Sequence, residues 1–293
     1  MNSKNIKWVL KFIFGILMAW NLVSCSLQSD TSNDVLHISI QPYRDVKRLK
    51  ELYLPLIQYL EQELKLKVQW VLADSYQQQL DQFHQGKLDL ALFGGLAYVR
   101  ALEKDNADPL VMRDIDFHFT SYFIVAKENK ASTIDDLAGS RFSFGSELST
   151  SGHLMPRFFL STQDIVPERF FSQTLYSGAH QITAQWVQDK KVDIGVLDSV
   201  VMDDLFKNKV ISKNKVRVLW ETPSYPDYIW AARKSLSEKL KLRIIEAFIK
   251  LSQDNKQDRK LLDKMGAHYY LPVKSNDFEP VRRIALQLKM LSK

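Results

Sequence analysis

The segment Gly145–Leu160, GSELSTSGHLMPRFFL, sets three consecutive hydroxyl residues, Ser149, Thr150 and Ser151, and a glycine directly in front of an apolar helical run. Arg141–Gly145 reads as a strand and Gly152–Leu160 as the helix after it, so the hydroxyls fall in the turn between them. A helix N-terminus offers unsatisfied N–H groups and about half a positive charge, which suits an anion with several oxygens. Hydroxyls donate beside those N–H groups without adding formal charge. One hydroxyl, Ser151 or a neighbour, is explained equally well as the cap of its own helix. Three are more than a cap requires.

The elements that must position this turn alternate short apolar strands with amphipathic helices. His37–Ile40, Val68–Leu72 and Leu88–Phe93 read as strands, with helices over Arg44–Leu64 and Tyr76–Gln85 between them. That order argues for βαβ units around a largely parallel sheet. The polar helix from Tyr76 that runs into Lys87-Leu-Asp-Leu is echoed from His180 into Lys191-Val-Asp-Ile, 104 positions further on. The spacing is too long for a solenoid and suits two α/β lobes of similar build, with convergent use of one common unit as the alternative. Two β-rich runs, Phe119–Lys127 and Tyr228–Arg233, each end at the spacing of a capping box, Thr133–Asp136 and Ser235–Glu238. Chain crossings are therefore expected near 123–129 and 226–231. The first lobe would comprise 34–125 plus 230–293, with 126–229 inserted as the second. Such lobes leave a crevice at the carboxyl ends of their strands, where ligands bind in sheets of this kind.

The amino-terminal 24 residues carry Lys4, Lys7 and Lys11 and then an apolar run from Phe12 to Trp20, the layout of an export signal. That run is shorter than the roughly 20 residues needed to span a bilayer. It leads into Leu22-Val23-Ser24-Cys25, similar to the lipobox of bacterial lipoproteins, so Cys25 is expected to carry lipid, with 25–33 a polar tether. The mature chain is then anchored to a membrane and lies in the periplasm or at the cell surface. With Cys25 the only cysteine, the domain can form no internal disulfide. Loss of the three leader lysines lowers the formal charge from +6 to +3, too little to imply nucleic acid.

Ser-Thr-Ser-Gly with Pro156 four residues on, Gly178-Ala-His180 opening a helix that leads into Lys-Val-Asp-Ile, and Pro226-Asp227 before an apolar strand resemble the phosphonate-, phosphite- and phosphate-binding lipoproteins of ABC importers. The resemblance runs from about His37 to Met290. It implies the two-lobed type II fold of periplasmic binding proteins, each lobe a mixed, mostly parallel sheet flanked by helices, joined by a two-strand hinge. It also implies a monomer without cofactor or metal that delivers its ligand to an ABC permease. The oxyanion would be gripped by Ser149, Thr150, Ser151, His180, Asp227 and Tyr76. A second family tyrosine falls on Phe93, which lacks the hydroxyl; Tyr98, one helical turn on, is the possible substitute, although ordinary packing explains it better. Asp227, a pure acceptor when ionised, would take the O–H of a singly protonated phosphonate or phosphite and reject sulfate. Where relatives that bind aminoalkylphosphonates carry an acid this chain has Val200, with Asp198 and Asp203 nearby. His153 reads as a solvent-facing helix residue.

Two other functions fit parts of the pattern. Ser149, His180 and Asp227 supply the residue types of a hydrolase, but no Gly-x-Ser-x-Gly elbow accompanies them, and the protein is not expected to be an enzyme. No His-Glu-x-x-His or spaced cysteine set points to a metal. A sensory protein that presents the same anion to a membrane kinase or chemoreceptor would need the same cleft and differ only in its partner surface.

Overall fold

The alternating pattern is realised as eleven strands and ten α-helices among residues 35–291, which the computed structural model describes. The leader, tether and Cys25 lie outside the described residues. In chain order the elements are β1 (Val35–Ile40), α1 (Val46–Leu64), β2 (Lys67–Trp70), α2 (Tyr76–His84), β3 (Leu90–Phe93), α3 (Gly95–Asp105) and β4 (Asp108–Arg113). There follow β5 (Ser121–Ala126), β6 (Arg141–Phe144), α4 (Met155–Ser161), α5 (Pro167–Phe170), β7 (Gln173–Tyr176), α6 (His180–Gln188), β8 (Ile194–Asp198), α7 (Ser199–Lys207) and β9 (Val216–Glu221). The chain ends with β10 (Ile229–Ala232), α8 (Glu238–Ile249), α9 (Lys256–Met265), β11 (Tyr270–Pro272) and α10 (Glu279–Gln287).

These strands form two sheets, ordered β11-β4-β10-β3-β1-β2 and β7-β6-β8-β5-β9. The expected parallel bias is not what forms: four pairings are parallel and five antiparallel. Four of the five antiparallel pairings involve β5, by which the chain enters the second sheet, and β10, by which it returns to the first; the fifth joins β11 to β4. β5 runs between β8 and β9, and β10 between β3 and β4.

This places the crossings more narrowly than the apolar runs suggested. Val125 and the rest of β5 belong to the second sheet, where Phe123 packs against Phe142 and Trp220 with centroids 6.2 and 5.1 Å away. The first crossing is therefore 114–120, upstream of the expected 123–129, and the second is 222–228. The apolar run is a central strand and not a connector: buried on both faces, it shows no alternation. The two connectors pair with each other: Phe119 and Tyr225 exchange backbone hydrogen bonds of 2.9 and 3.0 Å.

Helix signals were partly displaced as well. α1 buries Leu49, Tyr53, Leu56, Ile57, Leu60 and Leu64, the i, i+3/i+4 stripe of an amphipathic helix, and Asp45 caps it. Thr133–Asp136 opens only a 3₁₀ turn, Asp135–Leu137. The cap of α8 is Ser237, whose side chain accepts from Leu240 N–H, not Ser235.

Candidate functional site

Beyond β6 the chain makes one wide π-helical turn, Thr150–Leu154, before α4 begins. Ser149 is its N-cap, with Oγ accepting from Gly152 N–H at 2.8 Å, so the capping hydroxyl is the first of the three rather than Ser151. Ser151 contributes its carbonyl oxygen to Ser121 Oγ–H at 2.7 Å. Thr150 Oγ1 accepts a 3.0 Å bond from Leu96 N–H, which belongs to α3 of the other sheet. All three hydroxyl residues are buried. Gly152 is required for close approach: a Cβ there would stand 3.0 Å from both His180 Cε1 and Ser149 Oγ.

The π turn also redirects His153, which the sequence pattern places on the solvent face. Leu154 N–H reaches back five residues to Ser149 O at 3.0 Å, so the side chains that follow are rotated relative to an α-helix. His153 thereby points inward, not to solvent. It packs on Phe144 and Tyr176, accepts from Arg157 Nε–H at 3.0 Å, and burial pushes its pKa down to about 4.

His180, the first residue of α6, is fully buried. Its Nδ1 lies 3.4 Å from Asp198 N–H and can only accept there, which puts the ring proton on Nε2. Burial, followed by the nearby charge of Arg44, drives its pKa down to about 3, so the imidazole is neutral. Nε2 faces the hydroxyl of Tyr76 at 3.4 Å, across from α2. Burial, reinforced by the carboxyls of Asp198 and Asp227, holds the Tyr76 phenol well above its usual pKa and keeps its proton.

Asp227 lies in the second connector, its N–H bonded to Asp116 O at 2.9 Å. Oδ1 accepts from Gly95 N–H at 2.9 Å, while Oδ2 is buried with no partner within hydrogen-bond distance. Burial pushes the carboxyl up to about 7, opposed by the Gly95 N–H and by the nearby hydroxyls of Thr150 and Ser151.

Ser149, Thr150, Ser151, His180, Asp227 and Tyr76 thus converge between the two sheets. Phe93 does not join them: its ring packs edge-on against Phe83 at 5.2 Å in the core. Tyr98 likewise packs on Phe278 at 5.0 Å. Asp198 is committed elsewhere, accepting from Val201 N–H at 2.7 Å and Tyr228 O–H at 3.0 Å. Val200 and Asp203 line an adjoining cavity of about 240 Å³ that also touches Tyr43, Arg44, Asp204 and Tyr228. The sequence reading missed Gln41 and the Gly94–Leu96 backbone. Gln41 Oε1 accepts from Gly94 N–H. Both lie at carboxyl ends of strands, β1 and β3, where the general rule for such sheets directs attention.

Comparison with known proteins places the fold and the family. A solved structure from Prochlorococcus marinus (strain MIT 9301), in complex with methylphosphonate, superposes with a TM-score of 0.83 at 28% identity, covering 88% of this chain and all of that one. The fold is thus that of a two-sheet periplasmic binding protein. The model of the family described as "ABC transporter, phosphonate, periplasmic substrate-binding protein" matches residues 38–278, and the chain belongs to that family. Its role is binding, not catalysis. A probable phosphite-binding protein of an ABC transporter from the same Prochlorococcus strain is 30% identical over 244 residues, 79% of this chain and 82% of that protein. The phosphonates-binding periplasmic protein of Escherichia coli (strain K12) is 24% identical over 98% of this chain and 86% of its own length.

Proposed function

We propose that the protein captures a small, singly protonated phosphorus oxyanion, of the size of methylphosphonate, phosphite or phosphate, and delivers it to an ABC permease. The ligand is held between two lobes built on the two sheets, 35–113 plus 229–291 and 121–221, which close on it as the connectors 114–120 and 222–228 bend. The chain acts as a monomer tethered through a lipid on Cys25. The relatives named for phosphite and crystallised with methylphosphonate support this range of ligands.

The observation that carries the reading is Asp227, a buried carboxyl with one oxygen unpartnered beside uncharged donors. Site and ligand together hold one proton between a carboxyl oxygen and a phosphoryl oxygen. A ligand that brings an O–H satisfies Asp227 Oδ2, whereas sulfate brings none near neutral pH and confronts a carboxylate with bare oxygens. Thr150, Ser151 and the Nε2–H of His180 supply neutral donors for the remaining oxygens, with the Tyr76 hydroxyl facing them.

A thermal-shift panel tests this at pH 8 with methylphosphonate, phosphite, phosphate, 2-aminoethylphosphonate and sulfate. A ligand that binds only the folded state raises the midpoint. At least one phosphorus oxyanion is expected to do so and sulfate is not; a response to none of the four, or to sulfate equally, refutes the reading.

A further inference from the structure

Gly94 is the N-cap of α3, and its backbone, φ −75° and ψ 160°, is open to any residue. Its lack of a side chain therefore answers to its surroundings and not to its conformation. A Cβ built on Gly94 would stand 3.1 Å from Gln41 Oε1, 3.2 Å from Asp227 Oδ1 and 3.3 Å from Thr150 Oγ1. Contacts this short force neighbours to shift, and here the neighbours are three oxygens from three separate segments. They crowd in because successive N–H groups of the helix N-terminus point at them: Gly94 to Gln41, Gly95 to Asp227 and Leu96 to Thr150.

We propose that Gly94 is a specificity-determining position, the gap through which the N-terminus of α3 reaches across the cleft and orients Thr150 and Asp227 for the anion. A hydroxyl that accepts from Leu96 N–H still has its own proton and turns it away from α3, toward the ligand. A carboxylate that spends Oδ1 on Gly95 N–H leaves Oδ2, the oxygen without a partner, to receive the ligand's proton. The first lobe thus sets the donor and acceptor polarity of side chains contributed by the rest of the site. Selectivity therefore depends on α3 being docked against these side chains. The inference rests on the proposed oxyanion reading for its ligand, but its hydrogen-bond basis can be tested without one.

Two experiments on the full chain decide it. In the first, Gly94→Ala is compared with the parent for methylphosphonate and sulfate binding by calorimetry, and for the thermal midpoint without ligand. The expected result is a near-parental midpoint, methylphosphonate affinity lower by tenfold or more, and a smaller preference over sulfate; parental affinity and preference overturn the proposal. In the second, amide hydrogen exchange at Leu96 is read without ligand in the parent, Thr150→Ser and Thr150→Val. Serine keeps an oxygen for Leu96 N–H and should preserve its protection, whereas valine should speed exchange about tenfold; equal exchange in all three overturns the proposal. The second experiment also decides if Gly94→Ala fails to fold, or if the parent binds no phosphorus oxyanion and the functional reading itself falls.

Discussion

A carboxyl group that is 1% exposed, with one oxygen that accepts no hydrogen bond, is cheaper to bury protonated than ionised, and Asp227 is such a group. Its pKa rises from the ordinary 3.8 to about 7 on folding, so between about pH 4 and pH 7 the folded state binds more protons than the unfolded chain. By linkage, stability then falls as pH rises through that window. The buried histidines act in the opposite sense. His180 and His153 are driven below 6.5, so the folded chain holds fewer protons there and gains stability as pH rises. A pH profile of the parent alone mixes these contributions, and comparison with Asp227→Asn isolates one. Asparagine keeps an oxygen for Gly95 N–H and has no proton to lose. The variant should gain relative stability of about 3 kcal/mol from pH 4.5 to pH 8 for a pKa raised from 3.8 to about 7. Denaturant unfolding at the two pH values reads it, and a difference that does not change with pH contradicts the buried-carboxyl account.

At the level of the element, the three hydroxyls that look alike in sequence have separate duties, and these follow from where each falls in the π turn. Ser149 has a structural duty, since Gly152 is buried and Ser149 Oγ satisfies its N–H. Ser149→Ala should therefore cost about 1–2 kcal/mol of stability in ligand-free denaturant titration, the usual loss when an N-cap is removed. An unchanged midpoint would mean that the capping bond contributes nothing. The turn was legible because three hydroxyls before an apolar run exceed what capping needs. Which of them caps, and the inward rotation of His153, were not legible, because a single π turn changes side-chain direction without changing residue composition. The α3 terminus was hidden for a different reason. Gly94 and Gly95 act through backbone N–H groups, which every non-proline residue possesses, and a glycine that makes room for distant neighbours looks in sequence like one that only turns the chain. Phe93 was carried over by position, and its ring turned out to belong to the core because β3 directs it onto Phe83.

For the whole molecule, two sheets were readable from the repeated helix-to-strand unit, whereas the strand that begins each re-entry was not, since a strand buried on both faces resembles an apolar linker. The connectors are not the only contact between the two sheets' helices. Asp204 on α7, beside the second sheet, is held by Arg44, just ahead of α1, and by Arg48 Nη2 on α1 at 3.0 Å. The Arg44 side chain is 5% exposed and that of Asp204 25%, so the pair is largely removed from water and from screening salt. Burial alone would raise the Asp204 pKa, yet Arg44 and then Arg48 bring it below the ordinary value, so the ion pair outweighs its desolvation. Nothing in this clasp touches the hydroxyl turn, but it spans the same two bodies that a bound anion would bridge. If closure sets affinity, Asp204→Asn should weaken methylphosphonate binding about tenfold, the effect of losing roughly 1.4 kcal/mol from the closed form. With two guanidiniums left facing a neutral amide, the ligand-free protein should also show a larger radius of gyration in solution scattering. Parental scattering together with parental affinity would mean that the clasp only decorates a shape fixed by the connectors. Weaker binding without expansion would instead assign Asp204 to the ligand's own surroundings, since Asp204 also lines the 240 Å³ cavity beside Asp198 and Tyr228.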